Sequence, residues 1–363
     1  MKAGGLKQKV AGRSHPVLAI TQGDMNGIGP EVILKNLSDL SNSTVSSSEY
    51  PGVLLFASRT VMEYYAKALE IPAVWQVTDS APYLLLDSQS ASDSHMPRPE
   101  PGQIFLVPLP EPAEPVQPGV ISPEAGSLAM RAIASAVDAC LAGRADALIT
   151  APISKEAIHK AGYRVPGHTE YLAQLTRSTG AGMMLVNRVM RIGLATIHIP
   201  LCEVPKQLTE ERIESRLLLF HQALQRDFGI AEPRIAVLGL NPHAGDGGVL
   251  GREERLIITP VIEKLRKQNM TISGPWPADG FFGHKGFKDA DLVFAMYHDQ
   301  GLIPLKMADF GNGVNVTVGL PIIRTSPDHG TAFSIAGKSK ADAGSMLAAI
   351  RLAVSMTIRR KSA

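Results

Sequence analysis

Cysteine is nearly absent, with only Cys140 and Cys202 in 363 residues. Two cysteines cannot form a disulfide framework in a chain of this length. Both lie in apolar stretches, so a reducing cytoplasm is the expected setting. A dominant charge is also missing: 36 Lys and Arg stand against 34 Asp and Glu, a formal net charge of +2. No basic stripe or block of like charges occurs, which argues against a nucleic-acid partner held through its phosphates. No apolar run reaches the roughly 18 to 20 residues that span a bilayer. The basic stretch before Val17 lacks the apolar region of a secretory signal, so no membrane role is expected.

What is present is enough apolar material for a sizeable core, 45% of residues, which excludes general disorder. The length suggests about two domains. Short apolar strands alternate with amphipathic helices. The strands are expected at Val17–Thr21, Val53–Ala57, Ile104–Pro108, Ala147–Thr150, Ile192–His198, Arg234–Leu240, Leu292–Tyr297 and Val314–Val318. Several are apolar on consecutive residues, the mark of strands covered on both faces in an α/β sheet. Helical spacing is clear at Ile213, Leu217, Phe220 and Leu224, and again at Leu347, Ile350, Val354 and Ile358. A helix over 123–142 is expected after Ser122 as its N-cap. Two stretches break the rhythm: the polar Ser41–Ser48, and the Ser- and Pro-rich Asp87–Gly119, read as a surface excursion holding one strand.

Five motifs carry chemistry. Gly23-Asp24-Met25-Asn26-Gly27-Ile28-Gly29-Pro30-Glu31 joins a buried strand to a helix. It reads equally as an ordinary turn or an anion-seeking helix start, and its spacing is neither that of a Walker loop nor GxGxxG. Three histidines follow strands: His198, His243 and His298. In an α/β sheet they arrive at the carboxyl edge where ligands bind. Three neutral imidazoles with an open position form a recurrent catalytic metal site, whereas any one alone is more often a hydrogen-bonded loop residue. Imidazole favours zinc, cobalt or iron over magnesium. Asp279 is a candidate carboxylate near them, or a solvated loop residue. Gly167-His168-Thr169-Glu170 opens a helix, with His168 or Thr169 as its N-cap or as a substrate clamp. Lys306, Asn315 and Arg324 follow at intervals of nine, and the two cations suit phosphate or carboxylate. Asp328-His329-Gly330-Thr331-Ala332 is a glycine-containing loop able to meet a nucleotide. His15, His95, His159, His221 and His284 lack comparable context.

Together these strings resemble the 4-hydroxythreonine-4-phosphate dehydrogenase family of vitamin B6 biosynthesis. The matching pieces are GDMNGIGPE (23–31), PGHTE (166–170), HIPL (198–201), GLNPHAGDGG (239–248), GPWPAD (274–279), AMYHDQGLIPLK (295–306) and the stretch 313–338. The resemblance covers nearly the whole chain outside the N-terminal tail and Asp87–Gly119. It implies a two-domain, three-layer α/β/α fold like isocitrate and isopropylmalate dehydrogenases, with mixed, largely parallel sheets and no GxGxxG Rossmann domain. Residues 1–141 with 309–363 would form the cofactor side, 142–308 the metal side and dimer interface, with the active site in the cleft between them. By position, His198, His243 and His298 match metal ligands in a site shared by two subunits of a homodimer. His168, Thr169, Lys306, Asn315 and Arg324 match substrate contacts, and Asp328, His329, Gly330, Thr331 and Ala332 match the NAD region.

The implied activity is metal-dependent, NAD(P)-linked oxidation of 4-phosphooxy-L-threonine to a 3-keto acid. That acid loses CO2 to give 3-amino-2-oxopropyl phosphate. Zinc is the expected metal, with cobalt or magnesium as alternatives, and Lys306 and Asp279 are the candidate catalytic proton acceptors. Many members carry His-Lys where this chain has Ser154-Lys155, and Pro in place of Met25. These differences bear on the substrate, for which threonate or erythronate 4-phosphate and an aromatic cis-dihydrodiol are alternatives. A three-histidine metal hydrolase and a non-enzymatic binding protein are the readings from other classes.

Overall fold

The computed structural model describes residues 15–42, 51–78 and 98–362. Residues 43–48, 87–97 and His95 among the expectations above lie outside them. Twelve strands form one sheet: β1 (Val17–Thr21), β2 (Gly52–Ala57), β3 (Gln76–Val77), β4 (Ile104–Pro108), β5 (Ala147–Thr150) and β6 (Gly182–Val186). After these come β7 (Arg191–Leu194), β8 (Arg234–Leu238), β9 (Thr271–Trp276), β10 (Leu292–Ala295), β11 (Val314–Val318) and β12 (Ile323–Pro327). Their order is β3-β4-β2-β1-β5-β12-β11-β6-β7-β10-β8-β9.

The first six strands of that order run parallel, as do the last four. Between the two runs, β11 is antiparallel to both β12 and β6, and β6 is antiparallel to β7. The expected α/β fold with a largely parallel mixed sheet is therefore found. Along β1, Leu18 and Ile20 enter one apolar cluster while Val17 and Ala19 enter another on the opposite face. That is why the strand reads as continuously apolar: both faces are covered by helices.

Local signals set several helices. Ser122 Oγ accepts from Ala125 N–H to start the helix Pro123–Leu141. The helix Glu210–Phe228 buries Ile213, Leu217, Phe220 and Leu224 and ends at Gly229 with φ +67°. In the helix Gly344–Ser362 the buried face is Met346, Ala349, Ile350, Ala353 and Met356 instead of the expected larger stripe, and Ile358 is exposed. This helix lies against β12, β5 and β11, and small residues let it approach closely. Cys140 is buried, but Cys202 is exposed, contrary to expectation. Among the described residues no helix is long and apolar enough to cross a membrane.

Candidate active site

Strand ends and one sheet face build the candidate cavity. In the sheet, Arg324 pairs with Leu148 of β5 and with Thr317 of β11, and Asn315 pairs with Ser326. Registered neighbours and alternate residues share a face. Thr150, Arg324, Ser326, Thr317 and Asn315 therefore form a polar patch on one side of the sheet centre. Above it lies a cavity of about 380 Å³ whose walls include Lys155, His168, Thr169, His198, Asn315, Arg324, Asp328, His329 and Gly330. Four expected substrate residues and much of the expected cofactor loop thus meet in one place.

Arg324 is 2% exposed and makes no ion pair among the described residues. Its Nε and Nη2 donate to Thr150 Oγ1 at 3.2 and 2.6 Å, and its Nη1 donates to Thr317 Oγ1 at 2.9 Å. Burial brings its pKa down to about 9, since a guanidinium without water or counter-charge loses solvation. Burying an uncompensated charge costs several kcal/mol, and an incoming anion offsets that cost. His168 is the first residue of the helix His168–Leu175 rather than its cap, which is Gly167 with no side-chain bond. Burial first, then the nearby Arg324, hold the His168 imidazole well below its usual range; a hydrogen bond with the Ala151 backbone opposes them. Its Nε2 is shut off from solvent and has no partner. A neutral imidazole nitrogen thus remains for a ligand.

Lys306, the fifth expected substrate residue, does not line the cavity; its Nζ lies 3.4 Å from Oδ2 of Asp328, which does. The loop after β12 is held from behind. Ile28 N–H donates to Thr331 O at 3.0 Å, and Asp328 N–H donates to Ser345 Oγ at 3.0 Å. His329 Nε2 is buried without a partner, and a side chain on Gly330 would meet nothing within 4 Å. The first glycine motif is the brace for this loop. Gly23 has φ +72°, and a Cβ there would lie 2.5 Å from Pro152 O. Asn26 fixes the chain near Val120 through Nδ2 and accepts from Gln117 N–H. The turn reading of that motif is what the contacts favour.

The histidines are arranged as the topology requires, with one exception in distance. β7, β10 and β8 are neighbouring parallel strands, and His198, His298 and His243 follow their carboxyl ends. The strands end earlier than expected, at Leu194, Ala295 and Leu238, so His198 stands on a bend, His243 on a turn, and His298 opens the helix His298–Ala308. His198 and His298 have ring centroids 5.6 Å apart. Burial first, then Lys155 and His298, lower the His198 pKa and favour the neutral form that ligates metals. His243 is exposed on the turn Pro242–Gly248, where five successive residues, His243 to Gly247, have positive φ. Among the described residues no three His, Cys, Asp or Glu converge as a metal cluster. The imidazole chemistry suits a divalent ion: His198 and His298 stand together, and His243 stands apart from them on its own turn. Asp279 lies on the helix Ala278–Gly283, which touches the His243 turn, and it does not line the candidate cavity.

Two functional candidates escaped the sequence, Thr317 and Glu254, and a third, Lys155, was marked there only as part of Ser154-Lys155. Lys155 follows Ser154, whose Oγ caps the helix Lys155–Lys160 and so sets the lysine at the cavity wall. Glu254 is buried and accepts from Leu240 N–H, Asn241 N–H and Asn241 Nδ2 at 2.8, 2.7 and 3.0 Å. It anchors the start of the His243 turn. The Glu253-Glu254 pair after a glycine-rich turn was the one available hint.

Fold and cavity define an α/β protein with a polar cavity floored by a buried cation beside the loop after β12. Residues 49–353 match the family described as pyridoxal phosphate biosynthetic protein PdxA. A 4-hydroxythreonine-4-phosphate dehydrogenase from Prosthecochloris aestuarii is 44% identical over 345 residues, 94% of this chain and 97% of that one. The crystal structure of the enzyme of that name from Klebsiella pneumoniae is 36% identical with a TM-score of 0.79, covering 96% of this chain and 99% of its own. A terephthalate 1,2-cis-dihydrodiol dehydrogenase from Burkholderia xenovorans is 30% identical with a TM-score of 0.62, covering 94% and 98%. The chain belongs to the PdxA family, and it is an oxidoreductase.

Proposed function

We propose that this chain oxidises 4-phosphooxy-L-threonine with NAD(P) to a 3-keto acid that decarboxylates to 3-amino-2-oxopropyl phosphate, as a cytoplasmic step of pyridoxal phosphate synthesis. The observation that carries the reading is Arg324, a buried guanidinium with neutral partners at the floor of a cavity sized for a small metabolite. The names of the relatives supply the substrate and weigh against hydrolase and binding-protein readings.

In this reading Arg324 and Thr169 hold the phosphate, remote from the reacting carbon, and so orient it, while the acceptor nitrogen of His168 receives a donor group of the substrate. Asn315 lies beside Arg324 on the same sheet face and faces the substrate chain. His198, His243 and His298 would hold a divalent metal, which when bound would supply Lewis acidity at the substrate hydroxyl, and residues 328–332 would hold the NAD(P) that would supply a hydride acceptor. The hydroxyl proton passes to a side chain. Lys306, tethered by Asp328, is the candidate on the cofactor side, and Asp279 is the candidate on the side of the His243 turn. Three imidazole donors favour zinc over cobalt or magnesium.

We further propose a homodimer with the site at the subunit interface. In support, Ile303, Met307 and Phe310 are 57%, 83% and 84% exposed on or just after the helix His298–Ala308, and Leu201 beyond His198 is 68% exposed. The division into a cofactor side (1–141 with 309–363) and a metal side (142–308) is part of the same reading. The inversion of strand direction at β11 and β6 is what supports it.

The test is NAD reduction with a panel of four-carbon phosphorylated hydroxy acids and an aromatic cis-dihydrodiol, with and without chelator. Chelator-sensitive turnover of 4-phosphooxy-L-threonine is expected. Turnover of the dihydrodiol alone would move the chain to the activity named for the Burkholderia xenovorans protein.

A further inference from the structure

A guanidinium has five N–H donors in a planar fork. In Arg324 the Nε donor and one Nη2 donor share Thr150 Oγ1, and one Nη1 donor goes to Thr317 Oγ1. One N–H is left on each terminal nitrogen, the pair that a planar fork offers to one anion. Thr317 is 3% exposed, sits directly across from Arg324 in the sheet register and does not line the cavity. Its branched side chain on a strand is stiff, so its hydroxyl is a fixed point.

A carboxylate at either threonine would hold the guanidinium more strongly and relieve its burial, but it would also cancel the charge. Hydroxyls orient without cancelling.

We infer that Thr150 and Thr317 are positioning residues that cradle Arg324 with neutral acceptors, keeping its full charge and two N–H groups for one oxyanion of the substrate, a phosphate monoester or a carboxylate. This rests on the reading of Arg324 as the anion anchor. Because Thr150 lines the cavity and could touch a ligand itself, Thr317 is the cleaner probe.

The experiment measures binding of inorganic phosphate and of acetate, thermal stability, and KM against kcat in the full chain, for Thr317→Val, Thr317→Ser and Thr317→Asp. Thr317→Val removes one charge-assisted hydrogen bond, so phosphate affinity falls about tenfold and KM rises by a greater factor than kcat falls. Thr317→Ser keeps the hydroxyl and recovers phosphate affinity to within about threefold. Thr317→Asp keeps or raises the melting temperature while losing phosphate binding, a split that a purely structural role does not produce. Parental phosphate affinity in both Thr317→Val and Thr317→Asp would overturn the cradle. Should Thr317→Val fail to fold, the contrast between Ser and Asp decides, with equal phosphate affinity in the two as the contrary result. Arg324→Gln separates the two claims: if it too binds phosphate normally, the anchor reading fails, and if it alone loses phosphate, only the cradle fails. Acetate binding stronger than phosphate assigns the subsite to a carboxylate.

Discussion

Arg324 and His243 are both candidate ligand-binding residues, yet they are held in opposite ways. Arg324 lies on a central strand, 2% exposed, with three donors spent on threonines of neighbouring strands. His243 is exposed on a turn whose backbone is left-handed for five residues and whose entry is held by the buried Glu254. A subsite for a substrate anion gains from rigidity and dryness, since charge attraction grows as water is removed. A metal donor on a turn can still adjust when its ligand or a second subunit arrives. Non-glycine residues in left-handed backbone cost roughly 1 kcal/mol or more each and persist where the surroundings over-determine them, often at functional sites.

The largest expected effect is at the exposed side of this comparison. His243→Ala should abolish turnover and lower bound metal, with the circular dichroism spectrum retained; full activity in that variant after metal stripping would remove the turn from the site. On the rigid side, Arg324→Ala should raise KM for the phosphorylated substrate about a thousandfold, about 4 kcal/mol, because a dry charge-assisted contact is lost. An unchanged KM would show that the buried cation is structural only.

Glu254→Ala tests whether the turn is as constrained as its contacts indicate. It leaves the Leu240 and Asn241 N–H groups without their acceptor and should cost about 3 to 4 kcal/mol of stability in denaturant unfolding. Metal retention should fall in parallel, and stability within about 0.5 kcal/mol of the parent would mean that the turn holds itself.

The smallest effect concerns Asp24, in the buried turn after β1. Burial pushes its carboxyl up to about 6, against the opposing hydrogen bond from Asn26 N–H. The folded state therefore keeps a proton that the unfolded chain releases near 3.8. Its contribution is present below pH about 4 and is lost as pH rises through about 6, a decline of about 3 kcal/mol. Asp24→Asn should flatten unfolding free energy over that window. An undiminished slope would assign it to other groups.

Much of the fold was legible because strands covered on both faces have to be apolar on consecutive residues, as β1, β2 and β5 are. β12 was not, since Ile323-Arg324-Thr325-Ser326-Pro327 carries the cavity floor and reads as polar loop. β9 contains Gly274-Pro275, which argues against a strand, and β6 is methionine-rich with little β preference. The site followed the same division. Arg324, His168 and the three histidines stood out by residue type and position. Thr150, Thr317 and Lys155 are ordinary residues whose roles come from what lies across the sheet.

Taken alone, the near-balanced charge, the scarcity of cysteine and the placing of histidines after apolar strands determined an α/β enzyme with a ligand edge, because burial and strand periodicity are local properties. Only the tertiary structure decided that Arg324 would be cradled by hydroxyls rather than paired with a carboxylate. It also decided that His198 and His298 would meet while His243 stands apart. The first depends on β12 lying between β5 and the antiparallel β11, the second on the parallel pairing of β7 with β10, contacts between residues far apart in the chain that no local pattern encodes.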